Sequence, residues 1–183
     1  MPEEIDLLKL VCRRLEEADM AYMLTGSFAA NFYAVPRMTR DIDIVIEIDK
    51  LEIGKFCRHF ENDFYLTKAS ILEAVEHESM FNIIHNNSVF KIDFIIRKDS
   101  SYRDTEFRRR NQIELDGTPI WIVSPEDLII SKLFWAKDSL SDLQLRDVKN
   151  LRASIKNLDE IYMNHWVQKL ELNLIYEKVK ING

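Results

Sequence analysis

The sequence predicts an α+β (mixed α/β) fold: a mixed sheet flanked by helices, followed by a helical C-terminal lobe. Three observations predict it. Apolar residues recur at helical spacing in the first segment, short Ile- and Val-rich runs fill the middle, and everything beyond Ser124 reads helical. The division falls near Val123, giving a core over residues 1–123 and a lobe over residues 124–183.

The elements follow in order. Residues 3–18 place Ile5, Leu8, Val11, Cys12 and Leu15 on one helical face. A short strand, Tyr22-Met23-Leu24, runs to Gly26, and Ser27 can cap a helix that Pro36 stops. Residues 41–48 read as a strand, 51–60 as a helix, 64–66 as a weak strand and 70–77 as a helix. Strands at 80–84 and 89–96 meet at Asn86-Asn87, whose residue type tolerates the positive φ of a tight turn. A basic, polar loop is expected over residues 98–111. Strands at 113–115 and 120–123 flank the hairpin turn Asp116-Gly117, and Ser124-Pro125 starts a helix with a cap and a proline at the first position. Breaks are expected near Asp138 and Asn157.

Composition narrows the function. The 183 residues are 46% hydrophobic and 31% charged, enough to bury a core without staples. Cys12 and Cys57 have no neighbour at metal-ligand spacing, which excludes a disulfide framework and fits a reducing, cytoplasmic setting. No apolar run approaches the ~20 residues of a membrane span, and the Met1-Pro2-Glu3-Glu4 start is acidic where a signal peptide is basic. A net charge of −6 argues against broad nucleic-acid binding and fits a protein that holds cations and anionic nucleotides together.

The chemistry lies in five residues. In a strand, Asp41 and Asp43 project to one face while Ile42 and Ile44 enter the core. Two carboxylates so close repel unless a cation sits between them, and oxygen ligands suit Mg²⁺ (or Mn²⁺) shared with substrate phosphates. Asp93, between Ile92 and Phe94, is an acid that is costly to bury alone and is expected to join that site. Gly26 gives backbone access, and Ser27 stands where helical N–H groups and the positive dipole end receive phosphate. A phosphate cradle beside a carboxylate-held metal pair is machinery for attack on the α-phosphate of a nucleoside triphosphate.

The string Gly26-Ser27, thirteen intervening residues, then Asp41-Ile42-Asp43-Ile44 resembles the DNA polymerase beta nucleotidyltransferase superfamily. The fuller pattern resembles the AbiEii-like toxin nucleotidyltransferases. It comprises Arg37, Thr39, Asp41 and Asp43, then Pro125-Glu126-Asp127-Leu128, Lys132-Leu133 and Arg146-Asp147. The resemblance implies a nucleotidyltransferase fold, an NTP such as ATP as substrate, and an antitoxin as a possible partner. It implies metal ligation by Asp41, Asp43 and Asp93, with Asp93 helping to deprotonate the acceptor. Gly26 and Ser27 would hold the triphosphate, Lys132 would offer it a cation, and Asp147 would be a further acid of the site.

Plainer readings stand beside these. Asp93 fits an edge-strand charge that discourages aggregation, and Arg37, a candidate contact to the nucleotide's phosphates, equally fits a simple ion pair with a neighbouring acid. Lys132 fits a side chain that snorkels at a helix rim, and Asp147 fits a surface pair with Arg146. The cluster Arg97, Lys98, Arg103, Arg108, Arg109 and Arg110 reads as a solvated loop or as a grip on a nucleic-acid acceptor. His59, His77, His85 and His165 lack metal spacing, and Trp121, Trp135 and Trp166 are expected in the core.

Overall fold

The structure, a computed structural model, describes residues 2–39, 41–88, 90–139 and 141–179. Helix α1 (Pro2–Glu17) leads into strand β1 (Tyr22–Thr25), helix α2 (Gly26–Tyr33) and strand β2 (Asp41–Ile46). Then come α3 (Ile53–Phe60), β3 (Phe64–Tyr65), α4 (Lys68–Glu76), β4 (Met80–His85) and β5 (Lys91–Ile96). Helix α5 (Ser101–Arg108) precedes the hairpin of β6 (Asn111–Leu115) and β7 (Thr118–Ile122). Helices α6 (Pro125–Ser139), α7 (Asp142–Ser154), α8 (Glu160–Lys169) and α9 (Asn173–Glu177) follow.

One mixed sheet runs in the order β3-β4-β5-β2-β1-β7-β6. The pairs β2–β5 and β1–β7 are parallel, and the others are antiparallel. Alternation along β2 decides its faces: Ile42, Ile44 and Ile46 are buried, while Asp41 is exposed and Asp43 half-buried on the other side. Behind the apolar face, Phe56 and Phe60 of α3 meet Phe94 with ring centroids 5.1 and 6.1 Å away. Phe81 stacks on Phe94 at 5.2 Å, which closes an aromatic cluster beneath the carboxylate strands. That cluster stiffens the floor on which the aspartates stand.

The expected elements recur with two corrections. The loop expected at 98–111 contains α5, capped by Ser100, whose side chain accepts from the Arg103 N–H. Its mean hydropathy is low, so helical periodicity was masked; only Tyr102, Glu106 and Phe107 are buried there. Ser27 does not cap α2 either: Thr25 is the N-cap residue and makes no side-chain cap bond. Gly26 begins the helix with φ +67°, a left-handed conformation that frees Ser27 for another partner. The expected strand start at Val89, and Arg40 of the quoted string, lie outside the described residues. The Ser124 cap is present, with its hydroxyl accepting from the Asp127 N–H at 3.2 Å. Among the described residues, no helix is long and apolar enough to cross a membrane. Cys12 and Cys57 are buried free thiols.

Candidate active site

Strand register builds the floor of the site. Across the sheet, Thr25 of β1 pairs with Asp43 of β2, Asp43 with Asp93 of β5, and Asp93 with Asn82 of β4. Directly paired residues share a face, so four polar side chains form a row over four strands. One step along the same face, Asp41 pairs with Lys91. Asp93 therefore lies on an interior strand, which overturns the edge-charge reading; it is 5% exposed. Lys91 Nζ stands 2.7 Å from Asp93 Oδ2, while Asp93 Oδ1 is buried without a hydrogen-bond partner.

Desolvation raises the Asp43 carboxyl to about 6, and the neighbouring charges of Asp93 and Asp41 push it the same way. A half-buried acid facing two others is held at a disadvantage that a cation would relieve. Gly26 explains how helix α2 reaches this acid. A Cβ added at Gly26 would lie 1.9 Å from Asp43 Oδ2, so only glycine lets the first turn of α2 press against the carboxylate.

Three helices build the wall. Arg37 follows α2, and Asn31 clamps its backbone, donating to the Arg37 carbonyl at 2.9 Å and accepting from its N–H at 3.0 Å. The guanidinium then forks onto Asp147 of α7 through Nε (2.9 Å) and Nη2 (3.0 Å), and Nη2 also donates to Ser27 Oγ. Lys132 of α6 donates to the other side of the group, to Asp147 Oδ2 at 2.8 Å and Gln144 Oε1 at 3.0 Å. Asp147 is 4% exposed and Lys132 3%, so neither the surface pair with Arg146 nor a lysine snorkelling at a rim describes them. Burial works against the Asp147 carboxylate, but hydrogen bonds from Arg37 and Lys132 outweigh it and hold its pKa low. Burial also lowers Lys132, with Asp147 opposing.

Floor and wall meet in a cleft of about 510 Å³, lined by Gly26, Ser27, Asp43, Lys132 and Gln144, with Met80 and Ile95 extending the floor on the same sheet face and Lys98 beyond them. Trp135, expected in the core, is 59% exposed and lines this cleft. Trp166 is buried as expected, and Trp121 packs against the core. A larger hollow of about 610 Å³, lined by Phe28, Phe32, Met38 and Phe90, also takes in Arg37 but none of the aspartates.

Of the expected site residues, Gly26, Ser27, Asp43 and Lys132 line one cleft. Asp93 stands beside Asp43 in the sheet, and Asp147 and Arg37 brace Lys132 and Ser27 without lining the cleft, while Asp41 is exposed at the start of β2. The basic cluster disperses. Arg97 pairs with Glu47, Arg108 with Asp104, and Arg103 with Glu106 at 2.7 Å. Arg109 pairs with Asp127 at 3.0 Å and lies 3.8 Å from the Tyr162 ring centroid, while Arg110 donates to the Phe107 carbonyl. Asp127 of the Pro-Glu-Asp-Leu string is a fully buried anchor, accepting from Ser124, Arg109 and Tyr162. Sequence reasoning missed Lys91 and Gln144. Lys91 was within reach, because it precedes Asp93 by two residues and strand alternation puts both on one face; Gln144 carried no signal.

Among the described residues, no three His, Cys, Asp or Glu side chains converge as a closed metal site does. The fit to a cation rests instead on the raised Asp43 carboxyl and the orphaned Asp93 Oδ1. An open pair of carboxylates suits Mg²⁺, which keeps waters and substrate phosphates in its shell.

Several solved structures share this architecture. An antigenic nucleotidyltransferase-like protein from Paracoccidioides brasiliensis superposes with TM-score 0.61 at 15% identity, over 94% of this chain and 87% of that one. The antibiotic-resistance factor ANT(2'')-Ia matches with TM-score 0.55 at 13% identity, over 97% and 96%. The lincosamide antibiotic adenylyltransferase LnuA matches with TM-score 0.50 at 16% identity, over 77% and 91%. No family model matches the chain, and no curated protein matches it. The chain has the nucleotidyltransferase fold.

Proposed function

We propose that this chain transfers a nucleoside monophosphate from an NTP to a hydroxyl acceptor and releases pyrophosphate, with Mg²⁺ or Mn²⁺ required. One observation carries the reading: Asp43 and Asp93 stand side by side on parallel strands, and the first turn of α2 presses onto Asp43 at Gly26. Asp41 and Asp43 are the residues to hold the metal, and Asp93 completes the set at the acceptor end. Bound there, a pair of divalent ions would polarise the α-phosphate and ease departure of pyrophosphate. The chain's own residues do the rest. Backbone N–H groups at Gly26 and Ser27 bind the triphosphate, and Lys132, already turned into the cleft, adds a charge. Asp147 orients Lys132 and Arg37, and Asp93 receives the acceptor proton.

The pairing of Arg103, Arg109 and Arg110 with residues of their own chain weakens the reading of a nucleic-acid acceptor, and the cleft suits a smaller hydroxyl compound. The Arg37-x-Thr39-x-Asp41-x-Asp43 string with Lys132 and Asp147 supports a narrower reading as an AbiEii-like toxin with an antitoxin partner. A neighbouring gene for a short DNA-binding protein would support that role, and its absence would count against it.

The test is pyrophosphate release from pure protein with each NTP, Mg²⁺, and acceptors that include tRNA, protein and hydroxylated small molecules. Release and acceptor labelling are expected, with both lost in Asp43→Ala. Nucleotide binding with no release under any acceptor would instead favour a non-catalytic nucleotide-binding or partner-docking module on the same fold.

A further inference from the structure

The row of aspartates contains a cation of its own. Lys91 opens β5 two residues before Asp93, lies on the same face, and faces Asp41 across the parallel ladder. Its ammonium stands 2.7 Å from Asp93 Oδ2. The two partners differ in accessibility: the Asp93 side chain is 8% exposed, and that of Lys91 38%. A flexible four-carbon stem in that position can withdraw toward solvent without disturbing the core. Three carboxylates and one ammonium leave two negative charges, which one divalent cation balances. This accounts for the failure of the three acids to converge, since Lys91 holds one end of the row.

We infer that Lys91 is a resident counter-cation that occupies the Asp93 end of the carboxylate row in the nucleotide-free protein. The row then takes up one divalent cation readily, and a second at Asp93 only when Lys91 is displaced. Lys91 is in this sense a positioning residue that sets the divalent-ion requirement of the site. The inference rests on the metal-dependent reading given above.

Counting bound Mn²⁺ on the full chain without nucleotide, from the electron paramagnetic resonance of the free ion, tests it apart from turnover. The wild type should take up one Mn²⁺ per chain tightly. In Lys91→Met a second Mn²⁺ should bind about ten-fold tighter than in the wild type, the lower end of what an adjacent opposite charge does to a carboxylate's proton affinity. Lys91→Gln should behave like Lys91→Met, so the result does not hang on one variant folding, and Lys91→Arg should behave like the wild type. A second-site affinity within two-fold of the wild type in both neutral variants overturns the inference, as does Lys91→Arg behaving like Lys91→Met. If pyrophosphate release persists in that case, this inference falls alone. A wild type that neither binds Mn²⁺, with or without nucleotide, nor releases pyrophosphate overturns both readings.

Discussion

The floor and the wall of the cleft treat charge in opposite ways. On the floor, three aspartates share one lysine, and a buried oxygen of Asp93 has no partner. In the wall, one aspartate, Asp147, receives a forked guanidinium and an ammonium together. The floor is short of positive charge and the wall is fully paired. On the metal-dependent reading proposed above, this division has a use: repulsion stays where an ion would bind, and rigidity stays where phosphate would be gripped. The predictions follow from that contrast, since removing an acid should do opposite things in the two regions.

Asp147→Ala should give the largest effect. It leaves Arg37 and the buried Lys132 without their shared partner, and breaking a buried pair in this way costs about 3–5 kcal/mol. Urea unfolding reads it directly, and a loss under 1 kcal/mol would show that the wall is not held as described. Gly26→Ala comes next. The added methyl meets Asp43 Oδ2 at 1.9 Å in a left-handed backbone, so a loss of about 2–3 kcal/mol is expected, with loss of nucleotide binding. Unchanged stability and binding would separate α2 from the carboxylate.

On the floor the sign reverses. Asp43→Asn keeps the shape but removes the charge that desolvation and the neighbouring Asp93 and Asp41 oppose, so the metal-free protein should gain about 1–2 kcal/mol at pH 7. The pH dependence follows from the same group. Its folded pKa, about 6, lies above the ordinary 3.8, so between these values the folded state binds more protons than the unfolded state. Metal-free stability should therefore fall through this group as pH rises from about 4 through 6, and Asp43→Asn should flatten that part of the curve in thermal melts. A wild-type curve that rises with pH there, with no difference from the variant, would contradict the shift. The smallest effect belongs to Arg108, whose side chain is 77% exposed beside Asp104. Arg108→Ala should change stability by less than about 0.5 kcal/mol, with pyrophosphate release unchanged.

The same contrast explains what was readable in the chain. Asp41, Asp43 and Asp93 were legible because a strand alternates with period two, so an acid between buried Ile and Phe residues must turn to the other face. The Asp116-Gly117 hairpin, the Ser124 cap and most helices were legible from equally local signals, whereas Asn86 and Asn87 do not take the positive φ that a tight turn there would require. Helix α5 was not, because its charged surface hides the few residues it buries. The pairing of its arginines was equally hidden, since Asp127 and Tyr162 are remote in sequence from Arg109.

What the sequence determined by itself, then, is the set of strands and the face on which each aspartate lies, because both are properties of a single extended segment. Tertiary structure alone decided that Asp43 meets Asp93 in register, since strand order β5-β2-β1 depends on which strands pack together across the sheet. It alone decided the wall as well: Ser27 of α2, Arg37 of the loop after it, Lys132 of α6 and Asp147 of α7 come from separate segments, and no local periodicity encodes a bond across 110 residues of chain. Residues within one element announce their direction, whereas residues that meet only through folding have no signal until the core that joins them has formed.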